Sequence, residues 1–310
     1  MDGTLNLNKA SGPTSHDVID QVRRIFGQKR VGHAGTLDPM ATGVLVVCLG
    51  KATRIVEYLS GGEKEYRAAL TLGATTDTQD STGEIASESD ASAVTLDALE
   101  NAARSFVGQI QQVPPMVSAV KHQGQRLYKL AREGKTVERA ARAVTVHSID
   151  IADFRPGSRA EAEIVVRCSS GTYIRTLCAD IGEALGCGGM MSGLVRTRVG
   201  RFALEQSVTV EQLGEAQSDG RLGDYVISMA DALGDMPAVV LDAEGVDRAM
   251  HGLAVDVGRG QHVPAQHRHV PAQHGEPGAI VRMMSDDGEL VAIGVVSEQG
   301  IVRPRKVLAG

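Results

Sequence analysis

Tryptophan is absent from this 310-residue chain, and four Phe and five Tyr make up its whole aromatic content. That excludes an aromatic platform on which successive bases of a single strand could stack. Cysteine is scarce too. Cys48, Cys168, Cys178 and Cys187 form no Cys-x-x-Cys pair, and Cys48 sits inside an apolar run, so neither a disulfide framework nor a zinc site is expected. A reducing, cytoplasmic setting fits that usage. No apolar run is long enough to span a bilayer. The opening residues Met1 to Asn6 lack a basic stretch followed by an apolar one, so no signal peptide is expected either.

Positive charge is short overall, with 32 Lys and Arg against 38 Asp and Glu and a net charge of −6. Read as a sum, this argues against a nucleic-acid partner. The distribution reads otherwise: residues 115–201 carry fourteen basic against eight acidic side chains, while 61–114 carry three against nine and 202–250 two against ten. The chain is an acidic protein with a basic middle. Screening over about 10 Å hides distant acidic patches, so a local basic surface suffices to gather phosphates. Composition permits RNA binding; a set of merely solvated surface helices would give the same bias.

The length implies roughly two domains. Thr14 to Phe26 reads as an amphipathic helix with Thr14 as N-cap, Asp17 three residues on, and Gly27 as the stop. Val44 to Leu49 is an unbroken apolar run of the kind found in buried strands. Tyr66, Ala68, Leu70 and Leu72 alternate as one face of a strand, and so do Ala162, Ile164 and Val166. The polar, acidic stretch 75–95 reads as a surface loop, and Leu96 to Val107 as a helix. A further helix carries Ile174, Leu177, Ile181 and Leu185 on one face and closes at Gly186. Strand and helix units that do not strictly alternate indicate an α+β fold. After about residue 238, strands over 279–284, 289–296 and 301–307 with glycine turns form a small all-β unit. The expected division is therefore 1–238 and 239–310. A His-Val-Pro-Ala-Gln-His sequence occurs at 262–267 and again at 269–274, within a His-rich loop insert over 261–275. It has no partner cysteine or helical spacing that would make it a metal site.

One loop stands out, His33-Ala-Gly-Thr-Leu-Asp-Pro-Met-Ala-Thr-Gly43, between the first helix and the buried strand. Pro39 keeps Asp38 out of helical geometry. Spacing alone leaves Asp38 either a turn cap or a rigidly held reactive carboxylate.

The stretch from Val31 to Leu45 resembles the signature loop of the TruB family of pseudouridine synthases. Four more motifs follow the family order: Lys9-Ala-Ser-Gly-Pro-Thr-Ser15, Lys64-Glu-Tyr-Arg67, Pro114-Pro-Met-Val-Ser-Ala-Val-Lys121 with Leu127-Tyr-Lys-Leu-Ala-Arg132, and Gly171-Thr-Tyr-Ile-Arg-Thr-Leu177. The similarity covers roughly residues 5–210. Ala10 stands where the family commonly has proline, which would only stiffen the loop.

The resemblance implies a pseudouridine synthase fold with a mixed, mainly antiparallel sheet, followed by a small PUA-like β domain. It implies isomerisation of the T-loop uridine of tRNA, position 55 by convention, with no metal and no cofactor. Asp38 would be the nucleophile, Tyr66 would stack on the flipped uracil, and Arg175 would pair with Asp38 from beside the buried face of its helix. Tyr173 and Leu194 would line the pocket, and His33 would fill the space left by the flipped nucleotide. Lys9 and, in the basic segment 113–142, Lys121, Arg126, Lys129 and Arg132 would bind the T-arm and elbow. No guide RNA and no membrane are expected, and a monomer is. A tRNA-folding role and the guide-dependent branch of the superfamily are the competing readings.

Overall fold

The computed structural model describes residues 1–118, 120–122, 124–256, 262–263, 277–298 and 300–309, with backbone alone for 121, 122, 128, 131, 132, 262 and 263. Its main sheet has nine strands, and a path of seven crosses it in the order Gly3–Lys9, Thr42–Leu49, Gly189–Val199, Lys64–Leu72, Glu161–Cys168, Arg142–Arg155, Gly108–Gln112. Neighbours on that path are antiparallel except Thr42–Leu49 and Gly189–Val199, which run parallel. The sheet is thus mixed and mainly antiparallel, and the fold is α+β.

The strand Thr42–Leu49 shows why an unbroken apolar run is needed at its centre. Leu45, Val47 and Leu49 pack with Val18, Val22 and Leu213 from two helices on one side. Val44, Val46 and Cys48 face the other way, onto Ala52, Ile55 and residues of the C-terminal unit. A strand covered on both faces has no position left for a polar side chain. The helix Ser15–Ile25 that covers one face starts with a reciprocal capping box between Thr14 and Asp17, and Gly27 follows it at φ 61°.

Tyr66, Ala68, Leu70 and Leu72 project from the central strand into a second core. There they meet Ile164, Val166 and Cys168 of its neighbour and Ile174, Leu177, Cys178 and Ile181 of the helix Ile174–Ala184. All four cysteines are buried and free. The helix expected over 96–107 spans Leu96–Arg104.

A second sheet begins at Ala238–Leu241 and includes Ile280–Ser285, Leu290–Val296 and Ile301–Val307. One face buries Val281, Met283, Val291 and Val302 under the helix Ala243–Met250. The other sends Met284, Leu290 and Ile293 against Val44 and Ile55 of the main sheet's flank. Lys306 Nζ ties the two units further, donating to Arg54 O at 2.7 Å and pairing with Glu57. Apart from a two-residue strand, His262–Val263, the histidine insert lies outside the described residues. No described helix is long and apolar enough to cross a membrane, and no group of described His, Cys, Asp and Glu is placed to hold a metal.

Candidate active site

The loop between His33 and Gly43 has no regular structure, so its backbone carbonyls need partners from elsewhere. Nearly all find one. Arg196, only 1% exposed, donates from Nη2 to Gly35 O at 3.1 Å and from Nη1 to Thr36 O at 3.3 Å, and its Nε holds Val44 O at 2.7 Å. The Ser15 hydroxyl donates to Leu37 O and accepts from Leu37 N, both at 2.9 Å. Lys9 Nζ donates to Pro39 O at 3.2 Å and Ala41 O at 2.7 Å, as well as to Ala10 O. Ser11 Oγ reaches Met40 O, and Gly12 N donates to Pro39 O. Gly43 has φ 100°, and a Cβ there would stand 2.3 Å from Arg196 O, so only glycine fits. The loop is irregular and immobilised together.

Asp38 stands at the mouth of a cleft of about 280 Å³, lined among others by Tyr66, Ser118, Tyr173, Arg175, Met191, Leu194 and Arg196. Its carboxylate is 38% exposed, and Oδ2 is paired with Arg175 Nη2. Arg175 is itself 5% exposed, and its other guanidinium nitrogen, Nη1, lies 3.2 Å from Asp80 Oδ2. A buried guanidinium is costly unless its charge is met, and here it lies between two carboxylates. The expectation that Arg175 sits beside the buried face is therefore corrected. It is buried, because Asp80 goes inward with it and Asp38 meets it from the cleft.

Asp80 was not foreseen. It comes from the acidic stretch 75–95, expected at the surface, where strands Ala74–Thr76 and Ile85–Glu88 pair as a hairpin. Thr78 Oγ1, Thr82 N and Thr82 Oγ1 donate to its carboxylate at 2.8, 3.0 and 2.5 Å. Its tip docks on the main sheet through Met191 N to Gln79 O at 3.1 Å and Ser81 N to Met191 O at 2.9 Å. Thr176 Oγ1 adds a bond to Gln79 Oε1 at 2.8 Å. Gln79 sits at φ 64°, an uncommon value for a side-chain-bearing residue, and it reverses the chain just ahead of Asp80. The threonines flanking Asp80 are the signal in the sequence, since short hydroxyl residues within two positions can satisfy a buried carboxylate.

Tyr66 is buried on the strand Lys64–Leu72 and lines the cleft beside Leu194. Burial pushes its phenol above the ordinary value, with Arg196 acting in the opposite sense, so the hydroxyl stays protonated at neutral pH. Tyr173 lines the same cleft as N-cap of the helix that carries Arg175. Burial pulls two lysines down to about 8: Lys9, offset in part by Asp38, and Lys64, which donates to Ser60 O and Gly62 O at 2.9 Å.

The structure thus brings together Asp38, Tyr66, Tyr173, Arg175 and Leu194. His33 stays at the root of the loop on the strand Val31–His33, outside the cleft lining, and burial lowers its imidazole so that it is neutral. Lys9 is fully buried beneath the loop and offers RNA no surface, because its ammonium is spent on three carbonyls. Arg126 and Lys129 are exposed on the segment after Pro115. The side chains of Lys121 and Arg132 lie outside the described ones.

Residues 23–174 match the model of the N-terminal domain of TruB family pseudouridylate synthases, and 175–233 match that of the C-terminal domain of tRNA pseudouridylate synthase B. The chain is similar to the tRNA pseudouridine synthase B of Symbiobacterium thermophilum, with 50% identity over 254 residues, 82% of this chain and 83% of that protein. The protein of the same name in Moorella thermoacetica is 42% identical over 311 residues, 99% of each. Among solved structures, a chain of a Cbf5–Nop10–Gar1 complex superposes with a TM-score of 0.75 at 31% identity, covering 99% of this chain and 84% of that one. A chain of an H/ACA RNP bound to a substrate RNA containing 2′-deoxyuridine gives 0.73 at 28%, covering 99% and 85%. Sequence and fold agree, and the chain belongs to the TruB family of pseudouridylate synthases.

Proposed function

We propose that this enzyme isomerises the T-loop uridine of tRNA, position 55, to pseudouridine, with Asp38 as nucleophile. The observation that carries this reading is the arrangement of Asp38. Arg175 fixes Oδ2, while Oδ1 makes no hydrogen bond among the described residues, and Asp38 lines a cleft together with Tyr66 and Leu194. One oxygen is thereby oriented and the other is free to attack.

The reaction breaks the bond from ribose C1′ to uracil N1 and forms one from C1′ to C5. C5 loses its proton, N1 gains one, and no atom is added or lost overall. A carboxylate that attacks C1′ or C6 holds one fragment while the base turns. The target uridine must leave its stack to enter the cleft, which costs a few kcal/mol. Tyr66 supplies a flat face for the flipped base, and its protonated hydroxyl can share a proton without carrying charge into the site. Arg196, Lys9 and Ser15 keep the loop from yielding as the base enters, so Asp38 meets it in a fixed position. Recognition of the tRNA elbow rests on shape and on phosphate contacts from the basic segment, including Arg126 and Lys129.

Asp38→Asn is expected to abolish tritium release from C5-labelled tRNA while binding stays within about threefold, since only an attack made in the transition state is lost. Turnover retained in that variant would sink the nucleophile assignment. Conversion of a bare tRNA transcript, with pseudouridine mapped at position 55, is the matching test of substrate. A requirement for added guide RNA would place the chain with the guide-dependent branch instead.

A further inference from the structure

Gln112 ends the strand Gly108–Gln112 at the edge of the main sheet, and the next residue opens the basic segment 113–142. It is 2% exposed. A buried primary amide must satisfy both ends, and this one does so on a single distant residue. Its Oε1 accepts from Tyr173 N at 2.7 Å and its Nε2 donates to Tyr173 O at 3.0 Å. Tyr173 is the N-cap of the helix Ile174–Ala184 and makes no side-chain capping bond of its own. The first turn of that helix is therefore set from outside, by an amide 61 positions earlier in the chain. Arg175 stands two residues into the same turn, paired with Asp38 and Asp80.

The stretch after Gln112 is bound to the same place. Val117 and Ser118 form part of the cleft wall, and Ser118 Oγ is buried there with no hydrogen-bond partner among the described residues. Arg139 Nη1 donates to Pro114 O at 3.1 Å, so the far end of the segment is tied to its beginning. A pull on the segment reaches Gln112 within a few bonds, and Gln112 grips the turn that aims the guanidinium.

We propose that Gln112 is a positioning residue that couples RNA held by the segment 113–142 to the seating of Arg175 against Asp38. This rests on the RNA-modifying reading above. Gln112→Leu keeps the volume and removes both bonds. It should slow single-turnover pseudouridine formation about 10- to 100-fold, as expected for a sub-ångström displacement of an orienting group, while the Kd for tRNA stays within about threefold. Deuterium uptake in the free protein should rise in peptides covering 169–176. Gln112→Glu, which still accepts from Tyr173 N, keeps the test alive should the leucine variant fail to fold. Its rate deficit should shrink as pH falls, because a protonated carboxyl again donates to Tyr173 O. Asn6→Ala is the control: it removes another buried amide, which donates to Ala203 O at 2.8 Å, and should cost stability without slowing the reaction.

Wild-type single-turnover rates in Gln112→Leu, an equal slowing in Asn6→Ala, or unchanged exchange over 169–176 would each overturn the coupling. If wild-type enzyme failed to convert tRNA, the functional reading would fall. The exchange measurement would still decide whether Gln112 holds the turn.

Discussion

The loop 33–43 and the segment 113–142 are both irregular connections beside one cleft, yet they are built in opposite ways. In the loop, the carbonyls of Gly35, Thr36, Leu37, Pro39, Met40 and Ala41 are held by Arg196, Ser15, Ser11 and Lys9. In the segment, residues 133–136 and 140–142 are exposed, as are Arg126 and Lys129, and the helix Leu127–Arg132 has only six residues. On the proposed reading Asp38 must meet its target within fractions of an ångström, which an over-determined loop allows. A surface that follows an RNA backbone needs charge and reach more than fixed geometry. The two differ in what they must achieve, and substitutions in each should fail in different ways.

After loss of Asp38 itself, the largest effect is expected where the clamped side meets the chemistry. Arg175→Ala should lower turnover about 10³-fold, in line with loss of a preorganised charged hydrogen bond in a sheltered site, and change the tRNA Kd by less than about fivefold. The pair of measurements is a single-turnover rate and a filter-binding isotherm. An equal loss in both would mean that Arg175 holds RNA and does not orient Asp38.

That prediction depends on a pairing only half visible in the amino-acid sequence. The first helix, the strand Thr42–Leu49 and the three C-terminal strands were legible because capping residues, apolar runs and glycine turns are local signals. That Asp38, Tyr66 and Arg175 meet in one cleft was legible through ordered motifs. Asp80 was not, because its stretch is acidic and polar like any surface loop, and only the fold shows Met191 and Thr176 drawing it inward. Lys9 misled for a related reason. A basic residue in a motif suggests phosphate, whereas the carbonyls that claim it belong to residues up to 32 positions away. Gln112 carried no local signal at all, since its partner is 61 residues distant.

An intermediate effect should follow from loosening the clamp without touching the nucleophile. Lys9→Met removes a donor from three carbonyls, of which Pro39 O keeps Gly12 N, and should lower unfolding free energy by about 2–4 kcal/mol, read by urea denaturation. The pH dependence separates this from simple loss of packing. Lys9 sits at about 8 in the fold against 10.5 for the free side chain, so between those values the unfolded chain binds more protons. Its contribution to stability therefore rises with pH through that window, is complete above about 10.5, and is lost as pH falls through about 8. Between about 8 and 9, below the point where the buried thiols of Cys48, Cys168 and Cys178 begin to pull stability the other way, the methionine variant should rise less steeply than wild type, with the rise it keeps owed to Lys64. An unchanged slope would mean that Lys9 does not carry its charge into the fold as described.

The smallest effect belongs to the exposed side, and it sharpens the contrast most. Arg126→Ala with Lys129→Ala removes two charges that touch no described catalytic group. Every phosphate interaction removed should reduce the slope of log Kobs against log salt by about 0.7–0.9, so the double variant should flatten it by about 1.5. Affinity should fall several-fold at low salt and hardly at all near 1 M, where the Debye length is only about 3 Å. Turnover at saturating tRNA should not move, because these residues gather the substrate without positioning Asp38. A lowered saturating rate with an unaltered salt slope would reverse the assignment. It would mean that Arg126 and Lys129 shape the segment and do not gather RNA by charge, and the division of labour between a clamped loop and a charged surface would not hold.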